Sequence, residues 1–258
     1  VQTCALPILG IKMKKLITIA VFAVFSATTA FSASLTPSIG ISYNKSGFAG
    51  EGNERNFDEA GATKSTTSDY GAFEDDYNSV FVELQMGDIL SLGIDYVPGD
   101  IASPENHSRE GSSTTADTVD PGNSKVQVDF SRMTTIYARA NIPFLGGAYV
   151  KAGWHEVDVI VNESMNSGNT YADADTNGYT VGIGYNQEIA LEGLSIRVEA
   201  SAMQFDDVST NNGVAAASGS QSNGGRNEVQ VESMWGARGT ISLVKRSEER
   251  RVGKECRS

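Results

Sequence analysis

The sequence predicts an all-β protein, an eight-stranded antiparallel up-and-down transmembrane β-barrel. Three observations predict it: eight stretches with an apolar residue at every second position, connections that alternate long and short, and charges of both signs on the opposite parity of those stretches. A barrel that crosses a membrane up and down puts its odd connections on one side and its even ones on the other. Outer-membrane barrels make the outward set long and the periplasmic set tight.

The pattern runs from Ala33 to Lys245, the expected barrel domain 33–245. Ahead of it, residues 1–12 begin "VQTCALPI", and behind it residues 246–258 read "RSEERRVGKECRS". Both ends resemble translated sequencing-adapter sequence and are read as non-native extensions. They hold both cysteines, so no disulfide scaffold is expected in the remainder. Residues 13–32 read as a signal peptide. Lys14 and Lys15 lead an apolar run over 16–25, and the small residues Ala30 and Ser32 favour cleavage before Ala33, or else just after it. A membrane anchor would need about 20 apolar residues. The eighth strand stops at Lys245 without the terminal aromatic residue that such barrels usually carry, which fits replacement of the last codons by the foreign tail.

Charge excludes one class of function. Of 20 basic and 32 acidic side chains, eight and three lie in residues 1–32 and 246–258, leaving 12 and 29 and a net charge of −17 for the barrel domain. So anionic a surface argues against nucleic acid, which attracts basic patches.

The strand candidates, in order, are "SIGISY" (38–43), "NSVFVELQM" (78–86), "ILSLGIDYV" (89–97), "KVQVDFSRMTTIYARANI" (125–142), "GAYVKAGWHEVDVIV" (147–161), "GYTVGIGY" (178–185), "LSIRVEASAMQF" (194–205) and "VQVESMWGARGTISLV" (229–244). Long polar separators cover 47–76, 98–124, 162–177 and 206–227; short ones begin at Gly87, Pro143 and Gln187. If the first strand starts in the periplasm, all four long separators fall outside.

One parity of each strand is expected to face lipid. It comprises Ile39, Ile41 and Tyr43; Val80, Val82, Leu84 and Met86; Leu90, Leu92, Ile94 and Tyr96; and Val126, Val128, Phe130, Ile136, Ala138 and Ile142. It continues with Ala148, Val150, Ala152 and Trp154; Tyr179, Val181, Ile183 and Tyr185; Leu194, Ile196, Val198, Ala200 and Ala202; and Val229, Val231, Trp235, Ile241 and Leu243. The other parity holds Glu83, Asp95, Asp129, Arg139, Lys151, His155, Arg197, Glu199, Glu232 and Arg238, four basic and five acidic residues beside one histidine. In a lumen too narrow for bulk water these charges must pair, because an unpaired buried charge costs several kcal/mol. Gly182 and Gly184 leave room opposite Arg197 and Glu199. A soluble sandwich is the alternative, with the apolar face as its core and the charges in solvent. Arg132 on the lipid parity, and Val157 and Val159 on the other, break the pattern. Each is read as a β-bulge or as strand rising above the membrane.

The pattern, and above all "GYTVGIGYNQEIALEGLSIRVEAS" and "IYARANIPFLGGAYVKAGWHEVDV", resembles the small OmpA-like and OmpX-like outer-membrane β-barrels, including the opacity-type adhesins. The resemblance implies a monomeric eight-stranded barrel in a bacterial outer membrane, inserted by the barrel-assembly machinery and surrounded by outer-membrane lipid. It brings no catalytic motif to any position of this chain.

Three weaker signals remain. His155 lies on the inward parity near Lys151 without a paired nucleophile, and His107 lies in a loop; catalysis is not expected from either. "DADTNG" places Asp173, Asp175 and Asn177 as a calcium loop would, but the twelfth position is Gly184 where a bidentate Glu belongs, so neither metal nor cofactor is expected. Tyr43, Tyr96, Trp154, Tyr179, Tyr185 and Trp235 are candidates for interfacial girdles. The functional expectation is a plugged barrel that anchors acidic surface loops for a structural, recognition or adhesion role, meeting an extracellular ligand through them. A small passive pore is the alternative, and a lipid-modifying enzyme a further one.

Overall fold

The computed structural model describes residues 35–57, 62–109, 123–164, 170–213 and 226–247. The expected signal peptide and the expected extensions lie outside these, apart from Arg246 and Ser247.

The strands are β1 (Leu35–Phe57), β2 (Thr63–Met86), β3 (Leu90–Tyr96), β4 (Ile101–Ala102), β5 (Asn106–Arg109), β6 (Asn123–Asn141), β7 (Ala148–Ser164), β8 (Ala174–Glu188), β9 (Leu194–Phe205), β10 (Val208–Asn211) and β11 (Asn227–Arg246). Eight of them form the wall as antiparallel neighbours in the order β1, β2, β3, β6, β7, β8, β9, β11. β11 then pairs back onto β1 from Ser38↔Arg246 to Asn56↔Asn227, so the sheet has no free first or last edge. β4 and β5 prolong the third stave along β6, and β10 prolongs the seventh along β11. The turn from β6 to β7 is one 3-10 turn, Pro143–Leu145, followed by Gly146 and Gly147 at φ 48° and 112°, angles that side-chain-bearing residues seldom adopt.

The outer face is apolar in a continuous belt. Ile39, Ile41, Val82, Leu92, Ile136, Val150, Val181, Ile183, Val198, Ile241 and Leu243 are all exposed. That excludes the sandwich, in which these side chains would meet one another in the middle. Hydrocarbon is the solvent that such a belt requires.

Inside, two close approaches explain how rings fit. Gly93 stands directly across from Tyr137, and Gly184 from Tyr149. A Cβ at either glycine would lie 2.4 or 2.3 Å from the facing ring, so each ring lies flat over a bare stretch of wall. Gly184 is indeed opposite Glu199, but the room it leaves is filled by Tyr149; Gly182 faces Ser201, and Arg197 faces Asn186.

Several expectations are corrected. The first long separator, 47–76, is largely strand: β1 and β2 pair up to Asn56↔Ser65 and, past one register shift, Phe57↔Thr63, while β4, β5 and β10 add short strand within two of the others. Ser and Thr stretches read as loops from polarity alone, yet their backbones complete ladders above the membrane. Two β-bulges then reverse the faces. In β6 the register with β7 shifts between Ser131 and Thr134, with Arg132 at φ 56°; in β11 it shifts opposite Ala49 and Glu51, with Ser233 at φ 52°. An extra residue swaps inside for outside beyond it. Val128, Phe130 and Val231 therefore turn into the barrel instead of towards lipid. Asp129 and Glu232 correspondingly turn out of it: Asp129 accepts a hydrogen bond from Asn162, and Glu232 stands across from Glu51. Arg132 sits on the bulge, half exposed and ion-paired with Asp158. β7 has no bulge, and Val157 and Val159 face inward with the rest of their parity.

Candidate functional site

The interior is built in two tiers. The lower tier is charged. Glu83 on β2 accepts hydrogen bonds from Arg139 Nε and Nη2 (3.2 and 2.7 Å), Arg197 Nη1 and Nη2 (3.1 and 3.2 Å) and the Tyr137 hydroxyl (3.1 Å). Glu199 on β9 accepts from Lys151 Nζ and the Tyr149 hydroxyl, both at 2.9 Å, with Arg238 Nη2 at 3.8 Å. Each carboxylate is thus held by two cations and one tyrosine. Rings complete the mesh: Lys151 lies 4.5 Å over Tyr137, Arg139 5.2 Å over Tyr149 and Arg197 5.2 Å over Phe81. The fork of Arg suits two-point contact with a carboxylate, which is why Glu83 can satisfy two guanidinium groups at once.

Eight of the ten inward candidates meet here: Glu83, Asp95, Arg139, Lys151, His155, Arg197, Glu199 and Arg238 are all buried within the barrel. Asp129 and Glu232 are not among them, since the bulges carry both to the outer face. The buried set holds four cations and three carboxylates.

The upper tier is apolar. Phe48, Phe73, Phe130 and Phe205 come from four different staves and cluster with centroid separations of 5.1 to 6.3 Å, the first three stacked and Phe205 tilted against two of them. Met133, Met203, Met234, Val97, Ile101, Val157 and Val159 pack around them. Each fully buried ring or aliphatic side chain contributes about 1.5–3 kcal/mol. Outside this tier the wall is polar: Glu156, Asp158 and Asp175 follow Trp154 and Tyr179 along the outer faces of β7 and β8. The same staves are therefore oil-facing with a polar interior below, and water-facing with an apolar interior above. Sequence reading missed the upper tier, although Phe73, Tyr77 and Phe81 share one parity, and extending that parity upstream would have found the first of its rings.

The six aromatic candidates lie on the outer wall. Tyr43, Tyr96, Tyr179, Tyr185 and Trp235 are exposed, and Trp154 is half-buried beside Tyr179. Tyr185 is set apart from that pair, across from Ala148 beside the turn into β7.

His155 is buried against Phe205, with ring centroids 4.5 Å apart, and neither ring nitrogen has a hydrogen-bond partner. Of His107 the structure describes only the backbone, in β5. Asp173 accepts a hydrogen bond from the Val161 amide, while Asp175 and Asn177 are spaced along strand β8, so the oxygens of the "DADTNG" stretch do not converge. Among the described residues no three His, Cys, Asp or Glu side chains gather as metal ligands would.

No protein-family model matches the chain, and no curated protein matches it in sequence. Solved structures resemble it in overall form. The outer membrane protein OprG from Pseudomonas aeruginosa is 12% identical with a TM-score of 0.46, over 80% of this chain and 95% of that one. The outer membrane protein AlkL is 10% identical with a TM-score of 0.44, over 86% and 95%. Ail, the attachment invasion locus protein of Yersinia pestis, is 7% identical with a TM-score of 0.37, over 81% and 99%. What carries the assignment is the chain's own geometry: a closed ring of eight antiparallel staves, apolar where it meets the membrane and charge-paired within, makes this an outer-membrane β-barrel protein.

Proposed function

We propose that this barrel is plugged, and that its work is structural or recognitive and done at the extracellular end. Its described strands hold that end as a rigid, acidic platform for contact with an extracellular ligand. The observation that supports this most directly is the double closure of the interior, an ion-paired tier beneath an aromatic one. At eight strands the inside is just wide enough for side chains to fill. The upper tier gives the part above the membrane a core of its own, which keeps the platform in shape. On this reading the protein is a monomer, its lasting partner is outer-membrane lipid, and the barrel-assembly machinery inserts it.

A second reading, a small passive pore, draws support from three unpartnered interior groups, Asp95 Oδ1, both nitrogens of His155 and Arg197 Nε, which a file of water could satisfy. Conductance of the purified chain in planar bilayers at neutral pH separates the two. The plugged reading expects silence; a steady open level overturns it and, with four interior cations against three carboxylates, that level would favour anions. An enzyme acting on lipid would show as altered lipid A in cells expressing the chain, abolished by His155→Ala.

A further inference from the structure

One cross-strand row of the inner wall runs Phe81, Asp95, Thr135, His155, Gly178, Phe205, each residue directly across from the next. It lies where the charged tier meets the aromatic one. In it two titratable groups are deeply buried, His155 at 1% and Asp95 at 6% exposure, yet both imidazole nitrogens and one carboxylate oxygen have no partner. Glu83 and Glu199 in the same interior are bonded on all sides. A buried polar group left unpaired costs about 1–3 kcal/mol, so such a group asks for an explanation.

The surroundings of His155 suggest one. Its ring packs on Phe205, which in turn meets Phe48 and Phe130 at tilted angles of 57° and 38°, the centre of the aromatic tier. Behind it is Gly178, where a Cβ would stand 2.8 Å from Nε2. Directly across from it are Thr135 of β6 and Gly178 of β8, and the one charged group that acts on it is Arg238 of β11, which in turn interacts with Tyr77 of β2, Asp95 of β3 and Glu199 of β9; Lys151 lies on the same face of β7 itself. Neutral imidazole suits this place. A second cation next to Arg238 does not, in an interior whose cations already outnumber its carboxylates.

Resting on the closed-barrel reading, we propose that His155 is a proton-operated latch of the lumen. Neutral, it packs beneath Phe205 and the two tiers remain closed. When hydronium donates a proton to a free ring nitrogen, leaving water behind, the new imidazolium is repelled by Arg238 and finds a free acceptor in Asp95 Oδ1. The ring then leaves its seat under Phe205, water enters around the charges, and the aromatic tier loosens. Loss of the proton to water restores the packed state. The bistable element is the Phe205 contact, and the signal is local charge.

The test is planar-bilayer recording of the full chain and of His155→Gln and His155→Leu, with both chambers at about pH 7.5, then about pH 5.5 and about pH 4, the last included because the proton must be added beside Arg238. Heat-modifiable gel mobility confirms that each variant is folded. Wild type is expected to be closed at the higher pH and to open in acid, its open-to-closed ratio rising by at most about tenfold per pH unit for a single proton. Both folded variants are expected to stay closed throughout. Acid openings that persist in the variants overturn the latch, as does a wild type silent at all three values, which would leave the plugged reading intact. A wild type already open at neutral pH overturns the plugged reading itself.

Discussion

The charged tier makes a quantitative demand on Glu83. Its side chain is 1% exposed, and those of Arg139 and Arg197 are 5% and 7% exposed. Glu83→Gln keeps the shape but removes the charge, leaving two guanidinium groups buried opposite a single neutral amide. Removing one partner of a buried ion pair costs about 3–5 kcal/mol, and here one carboxylate serves two cations, which puts the loss at the upper end of that range. By contrast, the surface pair Lys45 and Glu74, with side chains 63% and 73% exposed, should contribute no more than about 1 kcal/mol, so Glu74→Gln is the control. Urea unfolding in lipid vesicles, followed by tryptophan fluorescence and by the heat-modifiable gel shift, measures both. Adding Arg197→Gln to Glu83→Gln should recover part of the loss, since one stranded cation goes. A Glu83→Gln variant within about 1 kcal/mol of wild type would refute the argument that the lumen is dry and its charges mutually dependent.

Two further predictions follow from other parts of the wall. Gly93→Ala and Gly184→Ala, each forcing a methyl against a tyrosine ring, should cost about 1–3 kcal/mol in the same unfolding assay, whereas Gly71→Ala, with nothing within 4 Å, should not. Above the membrane, Glu156 has its carboxyl held above the usual range by partial burial, with Asp175 and Asp158 adding to the effect. A raised folded-state value means that its protonated form is favoured by folding, a stabilisation present in acid and lost as pH rises through that value. Glu156→Gln should therefore be at least as stable as wild type at neutral pH, with the difference vanishing on acidification below the carboxylate range.

Much of this molecule was legible from its residues. Ile39 and Ile41, Val181 and Ile183, and Leu243 with Ile241 show on their own which face meets lipid, and the alternation of Glu83, Arg139, Arg197 and Glu199 with them placed the charges inside. What was hidden were events that change the count by one. A charge on the lipid parity at Arg132 offered a bulge there as one of two readings, but no residue type marked the one at Ser233, and the side chains beyond both bulges were still assigned to the wrong face. That is why Asp129, Glu232, Phe130 and Val231 were misplaced. Polarity concealed the rest: "EGNERNF" and "TKSTTSDYGAF" look like loops in isolation, but each completes the ladder of the other. The clustering of Phe48, Phe73, Phe130 and Phe205 depends on contacts between segments far apart along the chain, which no local window contains.

The change of the outer wall from apolar to polar along β7 and β8 also fixes how deep the protein rides. Sinking it by one turn of the pleat would immerse Glu156 and Asp158 in acyl chains; lifting it would bring Val181 and Ile183 into water. The waterline is thus written into the wall at a definite height, and the end that holds the aromatic tier is carried a constant distance above the bilayer by the described strands themselves.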